Sequence, residues 1–175
     1  MSIVAVNRQR SVRMNLPLLE EIAGSLLAEL RVGDVELEIN VISAHDMTCL
    51  NEKFLRHKGS TDVIAFDYLN SGGQRAVTTP KTRSTTQRGA SLHGEIFVCA
   101  DEAVIQARKY RTCWQSEVVR YLVHGILHLL GYSDLRLEAR RRMKRAEDRL
   151  LRRLARRFSL AELGPAAKLA RCTNR

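Results

Sequence analysis

The chain has 175 residues, 45% of them hydrophobic, and carries 29 Lys and Arg against 19 Asp and Glu, for a formal net charge of +10. That length suits one ordinary domain with a real core, and no apolar run reaches the length of a membrane span. The first ten residues, MSIVAVNRQR, hold no apolar signal core, so a cytoplasmic protein without a membrane partner is expected. The excess of cations favours a polyanionic partner, nucleic acid first, although it would also serve solubility alone. Aromatic residues make up only 5% of the chain, which points to phosphate contacts and shape rather than extended base stacking.

Residues 3–6 can form a first strand. Residues 16–30 have helical periodicity, with Leu19, Ile22, Leu26, Leu27 and Leu30 on one stripe. Val35, Leu37, Ile39 and Val41 alternate, as in a half-buried strand. Ser43 followed by Asp46 resembles a capping box and starts a helix through about residue 55. Residues 63–68 and 95–99 read as inner strands. Between them, residues 70–91 are rich in Ser, Thr, Gly, Gln and Arg, and their charges, Arg75, Lys81, Arg83 and Arg88, are all positive. Without apolar periodicity this stretch is expected to be a flexible insertion, either simply solvated or a phosphate-contacting arm.

Residues 101–110 form a short helix with an acidic start and a basic end, matching its dipole. Residues 116–130 form an apolar helix. Residues 137–158 form a last, amphipathic one, with Met143, Ala146, Leu150, Leu151 and Leu154 as its buried stripe. From Arg136 to Arg157 there are eleven Lys and Arg against three acids. Its exposed arginines, including Arg141, Arg145 and Arg152, are candidate RNA contacts; a merely solvated face is the alternative. Cys49, Cys99, Cys113 and Cys172 form no Cys-x-x-Cys pair and are expected to be reduced, with Cys49 and Cys99 filling the core. The expected fold is a single α+β domain over residues 1–160. It holds a small mixed sheet of about four strands and about five helices, and residues 161–175 are a disordered tail.

The most informative stretch is YLVHGILHLLGYSD, residues 121–134. His124 and His128 are four apart, which places both imidazoles on one helix face about one turn apart. Gly131 suits a left-handed cap, from which the chain can curl back and aim Asp134 at the same point. Two imidazoles and one carboxylate make a three-ligand site with an open fourth position, the arrangement of a catalytic zinc. With only five histidines in the chain, this full spacing arises by chance less than about once in a thousand such sequences. A bare pair could equally be two core histidines bonded to carbonyls. The spacing matches the metzincin pattern His-Glu-x-x-His-x-x-Gly-x-x-His, but Gly125 stands where a metallopeptidase needs its general base.

The stretch more closely resembles the YbeY family of rRNA-maturation endoribonucleases, whose pattern is His-Gly-x-Leu-His-Leu-x-Gly-Tyr-Asp-His. His124, Gly125, Leu127, His128, Leu129, Gly131 and Tyr132 match it. Ser133 stands at the family's Asp, and Asp134 at its third ligand His. If Ser133 were an insertion, Asp134 would match the family's Asp and the third ligand would be missing. Leu50-Asn51, Thr61-Asp62-Val63 with Phe66, and Gly94-Glu95-Ile96 are similar to further family segments. Ungapped, the family's Arg before Thr-Asp-Val falls on Leu55, with Arg56 and Lys58 close by.

The resemblance implies a zinc-dependent, single-strand-specific endoribonuclease. It would act in rRNA maturation, at the 16S rRNA 3′ end, and in ribosome quality control, with rRNA and the small ribosomal subunit as partners and DNA not expected. One zinc per chain would be held by His124, His128 and Asp134, and Arg56 and Lys58 are candidates for stabilising charge at the cleaved phosphate. A zinc-containing assembly factor that binds rRNA without cutting it is the alternative, and a metallopeptidase a second.

Overall fold

A computed structural model describes residues 1–69, the backbone of residues 76–77, and residues 91–165. Five strands lie in the order β1-β2-β5-β3-β4. They are β1 (Ser2–Asn7), β2 (Val35–Ile42), β3 (Val63–Asp67), the two-residue β4 (Ala76–Val77) and β5 (Leu92–Cys99). β1, β2 and β5 are mutually parallel, whereas β3 runs antiparallel to both β5 and β4. The mixed sheet follows from the connections. Helix α1 (Leu16–Glu29) returns the chain to the same end of the sheet between β1 and β2, as a parallel pair requires.

Five α-helices are described: α1, α2 (Ala44–Leu50), α3 (Ala100–Tyr110), α4 (Trp114–Leu129) and α5 (Leu137–Arg157), of which α1, α2 and α4 meet the sheet while α3 and α5 pack on α4. α1 starts at Asn15, whose side chain accepts from the Leu18 N–H, and buries Leu19, Ile22, Ala23, Leu26 and Leu27. α4 is the central helix. Twelve of its sixteen residues are buried, because it lies between the sheet on one side and α3 and α5 on others. Gly125 sets its approach to the sheet: a Cβ there would stand 3.0 Å from Ile96 and 3.1 Å from Val63. A side chain at that position would run into β5 and β3.

The main core joins α1, α4 and α5 to the sheet, and a smaller one (Ile42, Met47, Ile64, Phe66, Phe97 and Cys99) lies under α2. The helix expected from Ser43 to residue 55 is α2 continued by a π-helical turn, Asn51–Leu55, that stops at Arg56 with φ 58°. Cys99 is buried as expected, but Cys49 is exposed. Of the seven residues of α2 only Met47 is buried, so Cys49 faces away from the core.

The disordered tail expected from residue 161 begins too early. Leu160–Leu163 is a 3-10 turn with Leu163 fully buried, and the Asn15 N–H donates to Leu163 O at 2.7 Å. The chain therefore remains docked through residue 165. Residues 166–175 lie outside the described part, as does the expected insertion 70–91 apart from β4 and Ser91.

Candidate metal centre

Helix α4 ends in a motif that builds one wall of the site. Gly131 takes φ 87°, and its N–H donates to His128 O at 2.8 Å while the Tyr132 N–H donates to Leu127 O at 2.9 Å. This is the Schellman pair of bonds, and it needs the left-handed conformation that glycine adopts without a Cβ penalty. The reversal places Tyr132 O 3.1 Å from His128 Nδ1. It also carries Asp134 back: one ligand atom each from His124, His128 and Asp134 lie within 4.8 Å of one another. Arg140 Nε, donating to Asp134 O at 2.9 Å, ties the returning segment to α5.

Both imidazoles are oriented from behind. His124 Nδ1 lies 3.0 Å from Glu147 Oε2, and His128 Nδ1 faces the Tyr132 carbonyl. A carboxylate and a carbonyl can only accept, so each Nδ1 carries the hydrogen and each Nε2 is left for the site. The two Nε2 atoms stand 3.0 Å apart, near the roughly 3.3 Å edge of a tetrahedron with bonds of about 2.0–2.1 Å. Two facing lone pairs call for one positive charge between them. Burial opposes the charged form of His124, but the bond to Glu147 and the carboxylates of Asp62 and Asp134 outweigh it and raise its pKa. Burial and the neighbouring His124 charge lower that of His128. A proton can take the seat between the rings, and so can a cation. Two neutral nitrogens and one carboxylate oxygen suit zinc, so the residues present fit that metal.

Glu147 is the functional residue that sequence reasoning missed. It is 4% exposed and accepts from Arg120 Nη1 and from Lys144 Nζ, each at 2.8 Å, in addition to its contact with His124. Burial pushes its pKa up, but the bonds to His124, Lys144 and Arg120 prevail and hold it down at about 2. A signal was available: Glu147 lies four residues from Met143 and three from Leu150, on the apolar stripe of α5, where an acid needs a buried partner.

Arg56, the left-handed residue after the π-helical turn, and Lys58 are both exposed. Leu55, at the family's Arg position, packs against the smaller core. Arg141, Arg145 and Arg152 are exposed along α5. Of the remaining histidines, His93 pairs with Glu36 on the neighbouring strand, and His57 is exposed beyond Arg56. Among the described residues, His124, His128 and Asp134 form the metal-competent group. Gly125 faces the sheet, so an acid at this position would not reach the histidines' open side. That removes the peptidase reading on geometry as well as on residue type.

Residues 5–155 match the family model described as Endoribonuclease YbeY. The Endoribonuclease YbeY of Chlorobium luteolum is 35% identical over 107 residues, 61% of this chain and 65% of that protein. That of Syntrophotalea carbinolica is 29% identical over 154 residues, 87% and 95% of the two chains. That of Corynebacterium diphtheriae is 31% identical over 154 residues, 86% and 75%. The chain thus spans just under two thirds of the Chlorobium relative and nearly all of the Syntrophotalea one. The solution structure of TM1509 from Thermotoga maritima is similar in fold, with a TM-score of 0.60 at 20% identity over 99% of this chain and 100% of that one.

Proposed function

The chain belongs to the Endoribonuclease YbeY family, and from that membership and its converging histidines we propose that it is a zinc-dependent, single-strand-specific endoribonuclease. Its proposed substrate is rRNA of the small ribosomal subunit, cleaved in maturation of the 16S 3′ end and in ribosome quality control. The proposed setting is the cytoplasm, consistent with the lack of any helix, among the described residues, long and apolar enough to cross a membrane. The observation that carries the reading is the pair of Nε2 atoms 3.0 Å apart, each ring held by an acceptor at Nδ1.

In this proposal His124, His128 and Asp134 hold the zinc. When bound, the metal supplies Lewis acidity to a phosphate oxygen. Glu147 keeps the proton on His124 Nδ1, and the Tyr132 carbonyl does the same for His128, so neither ring has to reorient to bind. Asp134 adds the negative charge that two neutral imidazoles lack. Arg56 and Lys58, exposed on the segment leading to Asp62, would stabilise charge developing on the cleaved phosphate. The exposed arginines of α5, Arg141, Arg145 and Arg152 among them, would bind phosphates along the strand.

A second reading has one observation in its favour. Leu55 is a packing residue where the family pattern has Arg, which suits a zinc-containing rRNA-binding assembly factor that cuts nothing. Incubating purified wild type and His124→Ala with a single-stranded small-subunit rRNA fragment separates the two. Cleavage by wild type alone supports the nuclease; zinc-loaded wild type that binds the fragment and leaves it intact supports the assembly factor.

A further inference from the structure

Arg120 and Lys144, both bonded to Glu147, line a cleft of about 720 Å³, within the roughly 300–1,000 Å³ range of small-molecule sites. Its walls come from the segment before β3, from α3 and from the faces of α4 and α5 that carry Arg120 and Lys144. It adjoins the metal centre through Arg120, which donates to Glu147 at 2.8 Å, one bond from His124. Its charge is unlike that of the whole protein. Asp62, Glu102, Glu117 and Asp148 line it together with Arg120 and Lys144, and both cations are already held by Glu147 and Asp148.

The cleft holds hydrogen-bonding groups that its own residues leave unmet. Glu117 gives its oxygens to Thr112 and Arg120. Asp62 Oδ1 accepts from the Val63 N–H and the Thr61 hydroxyl, and Glu102 Oε1 from Ser60. Asp62 Oδ2 and Glu102 Oε2 have no partner among the described residues. Tyr121 lines this cleft and is 4% exposed, yet its buried hydroxyl has no hydrogen-bond partner among the described residues. Burial first, then the charges of Asp62, Glu117 and Glu102, raise its pKa, so it stays a donor. A buried hydroxyl without a partner costs free energy unless something completes it.

We propose that this cleft is a base-reading subsite for the RNA strand, taking a nucleobase that bears an exocyclic amino group next to the cleaved phosphate. The acids exclude phosphate, so the backbone stays on the metal and the basic surface while an unstacked, neutral base enters. The acceptors Asp62 Oδ2 and Glu102 Oε2 meet amino and ring N–H donors, and the Tyr121 hydroxyl donates to a ring nitrogen or carbonyl. Guanine, cytosine and adenine have an amino group to give; uracil has none. Tyr110, 62% exposed at the mouth, offers a flat face to the base. A divalent cation fits less well. The carboxylates of the cleft form no cluster of three close enough to share an ion, among the described residues.

The inference rests on the RNA-cleaving reading above, and the test keeps the two apart. A single-stranded RNA pool randomised around one cleavage site is cut by wild type, Glu102→Gln and Tyr121→Phe, and the products are sequenced. Wild type is expected to disfavour uracil at one fixed position by about tenfold, in line with one good hydrogen-bonded base contact. Both variants are expected to lose most of that preference while still cutting the pool. Cleavage without base preference, or a preference that both variants retain, overturns the subsite and leaves the nuclease standing. If wild type cuts nothing, the nuclease reading fails. The subsite is then decided by binding of 2′-O-methyl oligonucleotides differing only in cytosine against uracil: a preference lost in the variants upholds it, and equal binding overturns it.

Discussion

His124 Nδ1 and Glu147 Oε2 meet at 3.0 Å across the packing of α4 on α5. The last helix therefore does two jobs with opposite faces: it presents cations to solvent and one buried carboxylate to the histidine. If Glu147 positions His124, losing it should loosen the ring without removing a ligand. Glu147→Gln should lower zinc affinity by about 10–100-fold, as replacing the partner of a liganding histidine generally does. Competition with a chromophoric chelator measures this, and unchanged affinity would show that Glu147 only neutralises Arg120 and Lys144.

Asp134 is the departure from the family pattern that bears most directly on the metal. Asp134→Ala removes a charged ligand and should lower zinc retention under mild chelation; Asp134→His should keep or raise it. Full zinc occupancy in Asp134→Ala would mean that the carboxylate is not a ligand.

Much of this arrangement was legible in the sequence. The 3.6-residue period of α1 and α4 and the alternation in β2 located these elements within one or two residues, because each buries one continuous apolar face. The site was legible to the extent that its spacing is local: His124, His128, Gly131 and Asp134 belong to one helix end. Glu147 was not, because it lies 23 residues beyond His124 and its role depends on how α5 docks. The cleft around Tyr121 was equally hidden, since its walls come from four segments. Cys49 differs from expectation because composition alone does not reveal which side of a seven-residue helix meets the core.

The cysteines give a check on that placement. Burial pushes the Cys99 thiol up to about 11, so at pH 8 it is almost entirely the unreactive thiol, and thiolate appears only as pH approaches that value. Cys49 and Cys113 are exposed. Iodoacetamide at pH 8 should label Cys49 and Cys113 in the folded protein and spare Cys99 until denaturant is added. Peptide mass mapping reads the result, and early labelling of Cys99 would contradict the buried position.

RNA affinity should come largely from phosphate neutralisation and fall steeply with salt. Reversing Arg141, Arg145 and Arg152 to Glu should weaken binding to any RNA sequence and flatten the logarithmic salt dependence. Zinc content should stay the same, since these side chains are exposed on α5 while Glu147 is buried against His124. An unchanged salt slope would mean that this face only solvates the helix, and would move the binding surface to the sheet and the segment of Arg56 and Lys58.

If RNA cleavage runs through the His124, His128 and Asp134 centre, zinc titrated into metal-stripped protein controls cleavage of a single-stranded rRNA fragment. The stripped protein should not cleave, and activity should rise linearly to a plateau at one zinc per chain, with none restored in His124→Ala. Undiminished cleavage by the stripped protein, or equal recovery in His124→Ala, would contradict that role of the centre.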